Sequence, residues 1–113
     1  MQKGGKGRFA GVTIRAEAGE FDGVHWAPEV SHFARAQYAG DVVAGIADAR
    51  RWHLAKGGTD ASIEVSQIEE ILSDTTPDAV RLAATVAAWK ALGNSEAELR
   101  FDQEGDRWVP IEL

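Results

Sequence analysis

Residues 74–92 read Asp-Thr-Thr-Pro-Asp-Ala-Val-Arg-Leu-Ala-Ala-Thr-Val-Ala-Ala-Trp-Lys-Ala-Leu, and Gly93-Asn94 follows. This is a helix with both ends marked. Thr76 can cap it, Pro77 suits the first helical position, and Asp78 complements the positive end of the helix dipole. A glycine past the last turn takes the left-handed conformation that stops a helix. Leu82, Ala83, Val86 and Trp89 can face a sheet, while Ala84, Ala87, Ala88 and Ala91 are small enough to let a second helix approach. A helix with both kinds of neighbour points to an α+β fold.

Working outward, Ala61–Ile68 alternates, with Ile63 and Val65 on one side and Glu64 and Ser66 on the other, as a half-buried strand does. Glu69–Asp74 breaks the pattern and reads as a strand end and a loop. Upstream, Gly40-Asp41 opens a helix with Asp41 as its cap, and Gly57-Gly58 closes it. Val43, Ile46, Ala47 and Leu54 lie near one face of that helix, with Arg50 at its edge. Trp52 falls on another face with Gly45 and Asp48. An exposed Trp52 would stack on a partner, but a Trp folded over the helix edge is the commoner arrangement. Before that helix, three alternating stretches suggest a strand meander: Arg8–Glu17 with Gly11 interrupting it, Phe21–Trp26, and His32–Tyr38. The tail, Glu98–Glu112, reads as a hairpin turning at Glu104-Gly105-Asp106, and Pro110 suits an edge strand. The expected order is β-β-β-α-β-α plus a C-terminal hairpin over residues 92–113. It forms one domain, 1–113, with one sheet and both helices on one face.

Composition narrows the classes. The chain has 113 residues and is 44% hydrophobic, enough to build one packed core rather than a disordered segment. It has no cysteine, which removes disulfides, thiolate zinc sites and cysteine nucleophiles. No apolar run approaches the ~20 residues that span a bilayer, and no signal-peptide core follows Met1. The expected location is therefore cytoplasmic, away from membranes. The net charge of -6 is unevenly spread. Lys3, Lys6, Arg8 and Arg15 give residues 1–15 a charge of +4, against -10 for the remainder. An acidic body argues against a broad nucleic-acid surface, while the basic end can meet phosphate locally.

Little in the chain suggests catalysis. His25, Glu29 and His32 match no standard metal-ligand spacing, and Pro28 keeps them off a shared helix. Glu69 and Glu70 are adjacent, so a strand would send them to opposite faces. Gly4-Gly5-Lys6-Gly7 precedes a strand and lacks the Lys-Ser/Thr of a P-loop. Its glycines can still bring Lys3, Lys6 and Arg8 near a phosphate. Ser62, Ser66 and Ser73 lack a nucleophile-elbow context. No catalytic residue, cofactor or metal site is expected.

Lys3-Gly4-Gly5-Lys6-Gly7-Arg8-Phe9 resembles the start of domain IV of elongation factor G. There a Gly-Gly-basic-Gly segment leads into the first strand, followed by a polar and an aromatic residue. Asp41-Val42-Val43 through Leu54 and Gly57 is similar to that family's first helix. Asp74–Leu92 is similar to its second, which begins Asp-Ser-Ser and runs into basic-Leu-Ala-Ala. Thr76-Pro77 and Arg81 are also similar to the tetracycline ribosomal-protection proteins. The resemblance covers roughly residues 2–92.

The resemblance implies a mainly antiparallel sheet with two helices on one face and a left-handed β-α-β crossover, against the usual hand. It further implies a tRNA-mimicking module that meets the ribosome or RNA through its tip loops. Carried onto this sequence, the RNA-binding residues are Lys3, Gly4, Gly5, Lys6, Gly7 and Arg8, with Ile71, Leu72, Ser73 and Asp74 beside them. The family's tip commonly holds a His-Asp pair where this chain has Glu70-Ile71-Leu72-Ser73. No P-loop is present, so GTP hydrolysis and translocation are not implied, and a stand-alone non-catalytic module is expected. The competing expectation is a protein-binding or regulatory module that kept the scaffold, with Trp52 and the hairpin around Trp108 as contact surfaces.

Overall fold

A computed structural model describes residues 4–69, 77–105 and 107–111. The order is β1 (Gly4–Phe9), β2 (Val12–Ala18), β3 (Val24–Trp26), α1 (His32–Ala55), β4 (Ala61–Ile68) and α2 (Pro77–Ala91). A 3-10 turn at Glu96–Glu98 leads to β5 (Leu99–Asp102) and β6 (Arg107–Pro110). The main sheet has the strand order β1-β2-β4-β3 and is mixed. β1 with β2 and β2 with β4 are antiparallel, while β3 with β4 is parallel, so α1 bridges two parallel neighbours. The fold is therefore α+β with two helices, as the alternation of sequence periods indicated.

Two boundaries differ from those read off the sequence. The stretch Arg8–Glu17 is not one strand: residues 4–9 and 12–18 form a hairpin, with Phe9 opposite Val12. Ala10 and Gly11 have φ of 48° and 88°, and a two-residue hairpin turn needs both in the left-handed region. His32–Tyr38 is not a strand but the first two turns of α1, which starts 9 residues before Asp41. The Ser31 hydroxyl accepts the Ala34 amide at 3.0 Å and caps it there. Ala34 and Tyr38 then fall in line with Val42, Ile46, Ala49 and Trp52/His53, a continuous helical stripe of buried residues. Over seven residues that stripe and a period of two are hard to tell apart.

The buried face of α1 also differs from the expected one. Ile46 is buried, but Val43 and Leu54 are 41% and 37% exposed. The face carrying Gly45 and Trp52 is the buried one and meets α2. A Cβ on Gly45 would lie 2.5 Å from the Arg81 carbonyl oxygen, so only glycine allows this approach. Trp52 packs edge-to-face on Trp89, with ring centroids 6.5 Å apart, and is buried. Opposite α1, α2 lies on β1 and β2. A Cβ on Gly5 or Gly7 would overlap the carbonyl oxygens of Ala91 and Ala87. Flanked on two sides, α2 buries Val80, Ala83, Ala84, Val86, Ala87, Ala88, Trp89 and Ala91.

One core joins these helices to Val12, Ile14, Ala16, Ile63 and Val65 of the sheet. The tail forms the hairpin read from the sequence, as a separate two-stranded sheet. Trp108 holds it to the body, edge-on to Phe9 at 6.1 Å and to Phe101 at 5.5 Å. No helix among the described residues is long and apolar enough to cross a membrane.

Candidate functional site on the open sheet face

Strand alternation sends Gly5, Gly7, Ile14, Ala16, Ile63 and Val65 to the helix side, and the other parity to the open side. That open face is polar. The strand register sets Lys6 opposite Arg15, Arg15 opposite Glu64, and Glu64 opposite His25. Four titratable side chains thus form one row across all four strands. Arg8, Thr13 and Gln67 form the next row, and Glu17 with Ser62 flanks the other side.

Among the described residues no ion pair holds Lys6, Arg15 or Glu64. Arg8, by contrast, is paired with Glu69. His25 Nε2 lies 2.7 Å from Asp22 Oδ1. The hydrogen bond and charge of His25 hold the Asp22 carboxyl below its ordinary range. Two shallow troughs lie on this face. One is bounded by Lys6, Arg15, Glu17, His25 and Glu64, and the other by Lys6, Thr13, Arg15, Glu64 and Ser66. Such a surface can hold a polar or charged ligand across the strands.

The residues expected to meet RNA are distributed as follows. Lys6 and Arg8 lie in β1 on the open face. Gly4, Gly5 and Gly7 belong to the same strand, and Gly5 and Gly7 turn toward α2. The need for glycine there is close helix packing. Lys3 and Ile71, Leu72, Ser73 and Asp74 lie outside the described residues, as do Thr76 and Glu70. Arg15, Thr13, Glu64 and Ser66 were not singled out as site residues. Their signal was present in the Thr13/Arg15/Glu17 and Ser62/Glu64/Ser66 alternation, but only the register shows that they converge.

The other polar clusters serve the fold. His53 is buried, with Nε2 3.0 Å from the Thr59 carbonyl and Nδ1 2.9 Å from the Asn94 amide nitrogen. Lys56 donates to the Asn94 side-chain oxygen at 2.8 Å, so that amide presents its N–H to the ring. Both ring nitrogens of His53 are therefore occupied. Arg50 grips Asp60 with two hydrogen bonds of 3.0 and 2.9 Å and stacks on Phe21. His25, Glu29 and His32 do not assemble: no group of three or more His, Asp or Glu suited to a metal occurs among the described residues.

Fold and site together define a class, a two-layer α+β domain with an open polar sheet face. No protein-family model matches the chain, and neither does any curated protein or solved structure.

Proposed function

We propose that this protein is a non-catalytic binding module acting in translation, associated with the ribosome or with RNA. The topology of elongation factor G domain IV, with its left-handed crossover, is part of the same reading. The element order β-β-β-α-β-α and the parallel β3–β4 pair joined by α1 support it. The carrying observation is the open-face row, in which Lys6 and Arg15 stand side by side and neither forms an ion pair among the described residues. Phosphate contacts use cations that are free to exchange counterions for a backbone. The Gly-rich segment then matters less as a loop than as the strand that sets Lys6 beside Arg15.

The test is cosedimentation with ribosomes, or binding to ribosomal RNA, over a salt series. Lys6→Ala/Arg15→Ala is expected to weaken binding and to flatten the salt dependence by about 0.7–0.9 in slope per lost phosphate contact. Binding indifferent to this double substitution counts against the reading.

A second reading is a protein-binding module. Phe33, 66% exposed at the start of α1, favours it, whereas the burial of Trp52 removes one surface expected to carry it. A partner retained through high salt and nuclease would select this reading over the first.

A further inference from the structure

The pairing of β2 with β4 has an irregularity beside the charged row. Thr13 is opposite Gln67, but Ile14 is opposite Val65, so Ser66 has no partner in the register. A bulge of this kind re-aims side chains and is common next to functional sites. It brings Ser66 and Gln67 together on the open face, beside Thr13. Thr13 is only 2% exposed, and its hydroxyl has no hydrogen-bond partner among the described residues. The Ser66 hydroxyl has none either. Buried hydroxyls are nearly always paired, because leaving one unpaired forfeits its hydration without return. Valine would fill the Thr13 position with the same shape and no such cost.

Both residues line the trough of about 710 Å³ that Lys6 and Arg15 border. Two orphaned hydroxyls, two uncommitted cations and a bulge therefore converge at one place. Glu64 and Glu29 border the same trough. They offset the two cations, which makes the site a poor sink for arbitrary anions. They also offer acceptors to hydroxyl or amino groups attached to a bound anion.

We propose that the β2–β4 bulge forms a seat for one phosphate group, with Thr13 and Ser66 donating to its oxygens and Lys6 and Arg15 balancing its charge. On the RNA-binding reading, on which it builds, this is the subsite of one backbone phosphate. Glu64 and Gln67 then face the attached ribose or base.

The experiment is an amide NMR titration of the full chain with inorganic phosphate at constant ionic strength, with chloride as the reference, and separately with a short oligouridylate. Phosphate is expected to shift the amides of Thr13, Arg15, Ser66 and Gln67 saturably, where chloride does not. In Thr13→Val/Ser66→Ala the affinity for phosphate should fall at least tenfold, with the rest of the spectrum retained. Thr13→Val alone should not lower the melting temperature, since it removes an unpaired hydroxyl. Phosphate that moves these amides no more than chloride overturns the proposal; a water would then be the partner of the hydroxyls. An affinity unchanged in Thr13→Val/Ser66→Ala overturns it too. Phosphate bound at the seat without oligouridylate or ribosome binding keeps the seat and rejects RNA. Oligouridylate bound through Lys6 and Arg15, yet indifferent to Thr13→Val/Ser66→Ala, rejects the seat and keeps RNA.

Discussion

At the scale of single residues, the informative positions are glycines whose missing Cβ lets backbones approach. Gly7 faces the Ala87 carbonyl and Gly45 the Arg81 carbonyl, on opposite sides of α2. Neither neighbour is a flexible side-chain tip that can swing aside. Gly7→Ala and Gly45→Ala are each expected to destabilise the fold by about 1–3 kcal/mol, read as a lower urea midpoint. Gly40→Ala is the matched control. Gly40 sits within α1 with nothing within 4 Å of its Cβ position. There the helix preference of alanine should add about 0.5–1 kcal/mol of stability. A sequence reader sees glycine in a basic Gly-rich run and thinks of phosphate. Gly5 and Gly7 have a packing reason that depends on where α2 lies, which the run itself does not contain.

At the scale of elements, α1 shows how caps and periods compete. Asp41 was the cap read from the sequence, whereas the helix is capped by Ser31, ten residues earlier. The choice depended on whether Ala34 and Tyr38 had a helical or an extended neighbour to bury against. Ser31→Ala should cost about 1 kcal/mol, because it frees the Ala34 amide, whereas Asp41→Ala inside the helix should cost little. Equal losses in thermal unfolding, or a larger loss for Asp41→Ala, would contradict a helix beginning at His32. The second helix was legible in its extent, because its Pro77 start and Gly93 stop leave no competing frame, but not in its faces. Ala87 and Ala91, expected toward the other helix, lie against Gly7 and Gly5 of β1, and Trp89, expected on the sheet, packs on Trp52 of α1. The tail hairpin was legible for a similar reason, with two alternating runs meeting at a Gly-containing turn. The break at Ala10-Gly11 left a mark, since Phe9 is out of phase with Val12, Ile14 and Ala16, but one interrupting glycine fits a flaw within a strand as well as it fits a two-residue turn.

At the scale of the molecule, the ends of the elements are tied by a few polar clasps. Lys56 at the end of α1 reaches both Asn94 and Glu98, after α2. Arg50 on α1 clasps Asp60 at the start of β4. The hydrogen bonds from Arg50, opposed by partial burial, hold the Asp60 carboxyl below its ordinary value of 3.8. A carboxyl lowered in the folded state contributes stability that is fully present above its unfolded pKa. That contribution is lost as pH falls through the folded one. Thermal midpoints should therefore be level above about pH 5 and fall below about pH 4. Asp60→Asn should flatten part of that fall and lower the midpoint at pH 7. A pH profile identical in Asp60→Asn and the parent would show that the clasp contributes nothing to acid stability. The pair is about one-third exposed, so its contribution is expected near the upper end for surface pairs, about 1 kcal/mol.

The sequence by itself determined the α+β class, the extent of α2, β4 and the tail hairpin. These are set by local signals: period, cap, stop and turn residues lying within a few positions of one another. Tertiary structure decided where α1 begins, which of its faces is buried, and why Gly5, Gly7 and Gly45 are glycines. It also decided that Lys6, Arg15, Glu64 and His25 share one row, with Thr13 and Ser66 beside it. Each of these depends on a partner far away in the chain. The alternation of a strand says that a side chain lies on one face or the other; strand register and one bulge determine which residues meet there.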